Sequence, residues 1–311
     1  MGVHMDKVIS LLSDYTFQTV ALGSALLGVI SGVLGSFAVL RKQSLLGDGV
    51  SHSALPGVVL VFILFGSKRT EALLLGALVS GLVSTLLIVS IVRNTRIKFD
   101  SALALVMSVF FGLGLVLLTY VQKIPNSNQA GLKRFIFGQA STLMQRDILL
   151  MGVCGVVLLL LVVLFWKEFK LFTFDSDFAQ SLGFSPGKLN LLLSFMIVLS
   201  IIIGLQTVGV ILMSAMLIAP AVAARQWTNK LWIMVLLSAV FGAVSGVIGT
   251  AASSLVTKLP TGPAIVVCVS LIVMVSVLFA PGRGILFRIY RRRKNKLLFK
   301  SEGGVPNVPT T

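Results

Sequence analysis

The sequence predicts an all-α polytopic membrane protein, a bundle of eight or nine transmembrane helices with one short helix on the cytoplasmic side. Three observations carry this. Of 311 residues, 56% are hydrophobic and only 12% are charged, against roughly 25% charged in a soluble domain. Mean hydropathy is +1.01. Apolar runs long enough to cross a bilayer recur along the chain. No polar stretch exceeds about 25 residues, well short of a soluble domain. The expected organisation is a short N-terminal segment (1–15), one transmembrane domain (16–281) and a basic cytoplasmic tail (282–311). The opening M-G-V-H-M reads in part as a cloning remnant, so His4 is set aside.

The expected spans are 16–40, 49–66, 71–92, 101–121, 147–166, 189–204, 207–223, 231–256 and 263–281. The first starts near Thr16 with no basic stretch ahead of it, so it reads as a span and not a signal peptide. Glu71, Asp100 and Asp147 open the third, fourth and fifth, where an acid complements the helix dipole. Leu205 and Gln206 alone divide the sixth from the seventh; one of the two would be short or re-entrant in an eight-span count. Gln206 and Thr207 are polar enough to face a path. Pro220 would kink the seventh span, and Met213 and Met216 read as packing residues. Gly28/Gly32 and Gly242/Gly246 are G-x-x-x-G pairs, which let helix backbones approach closely in lipid.

The net charge is +16. In a soluble protein this would point to nucleic acid. Here the cations lie in short loops and set topology, so no nucleic-acid partner is expected. Nine spans with the N-terminus outside put 18 of the 26 lysines and arginines inside. An eight-span count with both ends inside reverses the earlier loops. The tail R-I-Y-R-R-R-K-N-K favours anionic lipid headgroups. Cys154 and Cys268 lie inside apolar runs without metal-binding spacing and read as packing residues.

The inner loop 167–188 contains F-D-S-D-F-A-Q-S-L-G-F-S-P. Asp175 or Ser176 would cap a short helix through Leu182, with Gly183 ending it. Phe178 and Leu182 share a face. The residues alone leave two uses open: lying on the membrane surface or docking into a groove of another protein.

The sharpest chemistry lies in L-G-D-G-V-S-H-S-A-L-P-G (46–57). The chain has ten acidic residues and two histidines, and Asp48 and His52 stand one helical turn apart. An acid at a span centre costs about 2.5–3.5 kcal/mol on insertion scales, so such a group persists when paired or when it lines a polar path. A carboxylate with an imidazole suits a divalent first-row metal, with water, other spans or a symmetry mate completing the shell. Pro56 has no N–H for the carbonyl of residue 52, and Gly57 permits bending. The structural alternative is that Asp48 caps the second span. G-F-S-P-G-K-L (183–189) fails the phosphate-loop pattern, and no H-E-x-x-H occurs, so no nucleotide site, resident cofactor or enzyme activity is expected.

Four stretches resemble the membrane permease subunits of bacterial ABC importers for manganese, zinc or iron. They are R-K-Q-S-L-L-G-D-G-V-S-H-S-A-L-P-G (41–57), F-D-S-A-L-A-L-V-M-S-V-F-F-G-L-G-L-V-L (99–117), the loop 174–186, and V-G-V-I-L-M-S-A-M-L-I-A-P-A-V-A-A-R (208–225). The family usually has Ala where this chain has Gly49. The resemblance implies a multi-pass protein of the bacterial plasma (inner) membrane and a permease homodimer with the path between subunits. It implies separate cytoplasmic ATP-binding subunits docked on the loop through Asp175, Phe178, Leu182 and Gly183. It also implies an extracellular solute-binding protein, and Asp48 and His52 as metal-contacting residues beside the break at Pro56 and Gly57. Outside that family, the residues fit a self-sufficient secondary metal/proton transporter or channel, or a scaffold that moves nothing. They do not separate manganese, zinc and iron.

Overall fold

The structure, a computed structural model, describes residues 14–66, 70–123, 143–256, 259–281, 283–289 and 291. Residues 1–13, including His4 and Lys7, lie outside it, as do Lys68, Arg69, Lys133, Arg134, Lys258 and the basic tail beyond residue 291.

Asp14 opens the first helix: its carboxylate accepts the Thr16 N–H at 3.1 Å, and α1 runs Tyr15–Leu40. The second apolar run is broken in two, α2 (Leu46–Ser53) and α3 (Leu55–Phe65), with Pro56 just inside the start of α3. Then come α4 (Thr70–Asn94), α5 (Phe99–Gln122) and α6 (Gln145–Leu164). The inner loop carries two short helices, α7 (Trp166–Phe174) and α8 (Ser176–Ser181). Long helices resume with α9 (Pro186–Val208), α10 (Val210–Trp227), α11 (Leu231–Leu255) and α12 (Thr261–Phe279). All regular structure among the described residues is helical.

Among the described residues, eight stretches are long and apolar enough to cross a membrane, α2 and α3 counting as one. α10 is not among them, but the contacts at the two ends of the bundle require it as a further crossing. At one end Leu40 packs against Ala221, Ala224 and Met234, and Arg283 donates to the Arg225 carbonyl at 3.2 Å. At the other end Gly23 abuts Leu143, and Arg146 pairs with Glu71 at 2.9 Å. Tyr15 and Arg283 therefore lie at opposite ends, which needs an odd number of crossings.

The sixth and seventh spans part later than the sequence suggests. Gln206 and Thr207 continue α9, and the chain turns at Gly209, with φ 82° and ψ 171°. That backbone is open to glycine and strained for other residues, so the turn follows the glycine and not the polar pair. Met213 and Met216 are fully buried in the core.

α1 is the central helix. Along α11, Gly28 faces Gly242 so closely that a methyl group on either would strike the other's backbone. Ser238 donates to the Gly32 carbonyl at 2.7 Å across the same seam. With no hydrophobic force between helices in lipid, such backbone approach and interhelical hydrogen bonds supply the association.

Candidate functional site

α2 starts two residues earlier than the carboxylate. Its N-cap is Leu45, which makes no side-chain capping bond. Asp48 therefore sits within the first turn and does not cap the helix. Its side chain is free to meet His52 one turn on, with Asp48 Oδ1 3.4 Å from His52 Nε2. Glycines let the helix sink into the bundle: Gly47 lies against Ser214 and Leu217 of α10, and Gly49 against Leu103 of α5. An Ala at position 49 would put its methyl 3.0 Å from Leu103 Cγ, so Gly49 brings α2 and α5 closer together.

The pair lies at mid-depth. The His52 ring meets the edge of Phe111, near the middle of α5, with centroids 4.8 Å apart and planes at 79°. Val50, between the pair, lies beside Gly81 near the middle of α4. On a single chain the Asp48 side chain is 41% exposed and that of His52 is 24% exposed. His52 Nδ1 is buried without a partner.

Two atoms 3.4 Å apart can both bind one ion at about 2.1 Å, subtending roughly 110°, a tetrahedral angle. A shared cation can therefore bridge the two atoms at this spacing. Among the described residues, no group of three or more His, Cys, Asp or Glu side chains gathers to hold one.

The break behind His52 is built from α4. Pro56 offers no N–H to the His52 carbonyl, and the neighbouring Ser53 carbonyl takes the Ser80 hydroxyl at 2.6 Å. Ser80 is a part of this arrangement that sequence reasoning missed, because its partner is 27 residues away. Gly57 is pressed against the backbone of Gly76. Pro56 and Gly57 also line an apolar groove of about 440 Å³ with Leu60, Val79, Phe110 and Leu113. They thus support the break from its apolar side.

On the inner loop, Asp175 caps α8 by accepting the Phe178 N–H at 2.9 Å, and Gly183 follows at φ 87°. Phe178 and Leu182 are 52% and 56% exposed, an apolar pair presented outward. α7, which sequence reading left within a loop, is fixed by aromatic packing. Phe37 of α1 lies 6.0 Å from Trp166 and 5.9 Å from Phe169 between ring centroids.

Residues 13–280 match the model of the ABC 3 transport family. The zinc transport system membrane protein TroC of Treponema pallidum is 53% identical over 294 residues, covering 94% of this chain and 99% of that protein. The manganese transport system membrane protein MntC of Bacillus subtilis is 49% identical over 274 residues, covering 88% of this chain and 63% of that protein. Among solved structures, PsaBC from Streptococcus pneumoniae in complex with Fab has a TM-score of 0.79 at 30% identity, covering 94% of this chain and 99% of that one.

Proposed function

Since the chain belongs to the ABC 3 transport family, we propose that it is the membrane permease subunit of an ATP-binding-cassette importer that carries a divalent transition metal, manganese or zinc, across the inner membrane. The observation that carries the site is the Asp48–His52 pair at mid-depth, two donors 3.4 Å apart beside a helix break. The metal is cargo. A carboxylate and an imidazole replace part of its water shell, and the small number of protein donors keeps binding weak enough for release.

The half-exposed carboxylate at mid-depth would face hydrocarbon on an isolated chain, at about 2.5–3.5 kcal/mol. A second copy covering this face removes that cost and adds a second Asp48–His52 pair to the path. Membership of an ABC permease family implies separate ATP-binding subunits and a substrate-binding protein. The exposed Phe178–Leu182 face, on a helix held by its Asp175 cap, is the docking point for the ATP-binding subunits. The relatives are transport membrane proteins, and ATP hydrolysis is assigned to the partner chain.

The test is reconstitution of the permease with its ATP-binding subunits and binding protein in vesicles, with a panel of divalent ions. ATP-dependent accumulation of Mn²⁺ or Zn²⁺ is expected. Accumulation that proceeds without ATP and follows a proton gradient would replace this reading with a secondary transporter.

A further inference from the structure

The turn that leads into the helix of Asp48 and His52 meets the helices of the inner loop at one half-buried cation. Arg41 follows the last residue of α1, and its guanidinium carbon lies 3.8 Å from the ring centroid of Phe172 on α7. Its Nε and Nη1 are buried and have no acceptor. The two ion pairs among the described residues, His52–Asp48 and Arg146–Glu71, do not involve it. The charge is therefore held chiefly by an aromatic face, a contact that strengthens when water is excluded. Burial pulls this guanidinium down to about 10, so it remains charged at neutral pH.

A half-buried cation without a paired carboxylate is a poor way to stabilise a fold, and the seam has apolar contacts enough in Phe37, Trp166 and Phe169. What Arg41 adds is a connection. We propose that Arg41, through its stack on Phe172, is the positioning residue that passes movement of α7 and α8 to α2, and so to Asp48 and His52. This rests on the permease reading above.

The backbone on both sides suits the role. Toward the metal-binding helix, the chain is locked by short-range bonds: Arg41 N–H to Phe37 O, Gln43 N–H to Ala38 O, and Leu46 N–H to Gln43 O. Lys42 holds a left-handed backbone at φ 58°, rare for a residue with a side chain. A turn this constrained passes on a displacement instead of absorbing it. Toward the ATP-binding subunits, Phe172 lies in the last turn of α7, and Asp175 joins that helix to α8. Gln43 Oε1, two residues after Arg41, and Glu168 Oε2, one turn before Phe172 on α7, are also buried acceptors without partners. A lysine would supply the charge without the planar face that stacks.

The test compares Arg41→Gln, Phe172→Leu and Phe172→Tyr in the full complex, reconstituted with metal-loaded binding protein carrying Mn²⁺. Basal ATP hydrolysis and copurification of the ATP-binding subunits should be unchanged. Metal-stimulated hydrolysis and Mn²⁺ uptake should fall together, by about tenfold, in Arg41→Gln and Phe172→Leu. Phe172→Tyr, which keeps the ring, should behave as wild type. Phe172→Leu leaves the cation in place, so it decides the matter if Arg41→Gln assembles poorly. Full stimulation in Arg41→Gln or Phe172→Leu would overturn the proposal. So would equal losses of basal hydrolysis, assembly and stimulation, with no rescue by Tyr, which would mark a purely structural contact. The same assay is run with Zn²⁺-loaded binding protein; if wild-type hydrolysis ignores both Mn²⁺ and Zn²⁺, the permease reading falls first, and the coupling role falls with it.

Discussion

Replacing Ser80 by Ala removes one oxygen from α4 and leaves the Ser53 carbonyl, next to His52, without its 2.6 Å donor. The site is closed, with Ser80 8% exposed and Ser53 0%. Leaving a buried acceptor unpaired costs about 1–3 kcal/mol, while interhelical bonds in membranes average about 0.6 and reach about 1.7 kcal/mol because freed groups find new partners. The Ser53 carbonyl ends α2, and the donor left to it is the Gly57 N–H four residues on, across the break at Ala54. The membrane range therefore applies, about 0.6–1.7 kcal/mol, a factor of roughly 3–20 in the population holding the native break. Initial Mn²⁺ or Zn²⁺ uptake by Ser80→Ala, at equal membrane abundance, should fall within that range. The thermal midpoint in detergent should drop by about 2–4 °C per kcal/mol. Ser80→Cys, a weaker donor of similar size, should fall between wild type and Ala. Uptake within twofold of wild type, with an unmoved midpoint, would refute the claim that this bond holds the break.

Three further outcomes follow. Gly28→Leu should sharply lower the amount of folded protein in the membrane, because any side chain there strikes the Gly242 backbone; Gly112→Ala, in open space, should change nothing measurable by the same blot. Phe178→Ser with Leu182→Ser should reduce copurification of the ATP-binding subunits, since the pair is exposed and is given no other role. Asp175→Ala should lose a helix cap worth about 1 kcal/mol and weaken the same copurification, with Asp175→Ser restoring most of it.

Much of the architecture was legible because hydropathy is a local property: each long helix coincides with an apolar run, and acids mark the starts of α4, α5 and α6. The four-residue spacing of Asp48 and His52 is local in the same sense, and the structure brings them together. What escaped was decided by partners distant in sequence or by backbone geometry. The division of α9 from α10 looked as if it should follow the polar Gln206, but the positive φ selected Gly209. α7 was hidden by its charges Lys167, Glu168 and Lys170; its signal was the Phe165, Phe169, Phe172 spacing that faces Phe37 and Arg41. Ser80 carried no local signal, and Arg41 stood out only as the start of the 41–57 stretch, because the groups they serve, Ser53 and Phe172, lie elsewhere in the chain.

The most direct test of the metal pathway is the initial rate of ATP-driven Mn²⁺ and Zn²⁺ uptake by vesicles carrying wild type, Asp48→Ala or His52→Ala at matched abundance and matched basal hydrolysis. Uptake by either variant at the level of empty vesicles is the result expected if the two donors 3.4 Å apart carry the ion across mid-depth. Wild-type rates in both variants would contradict it.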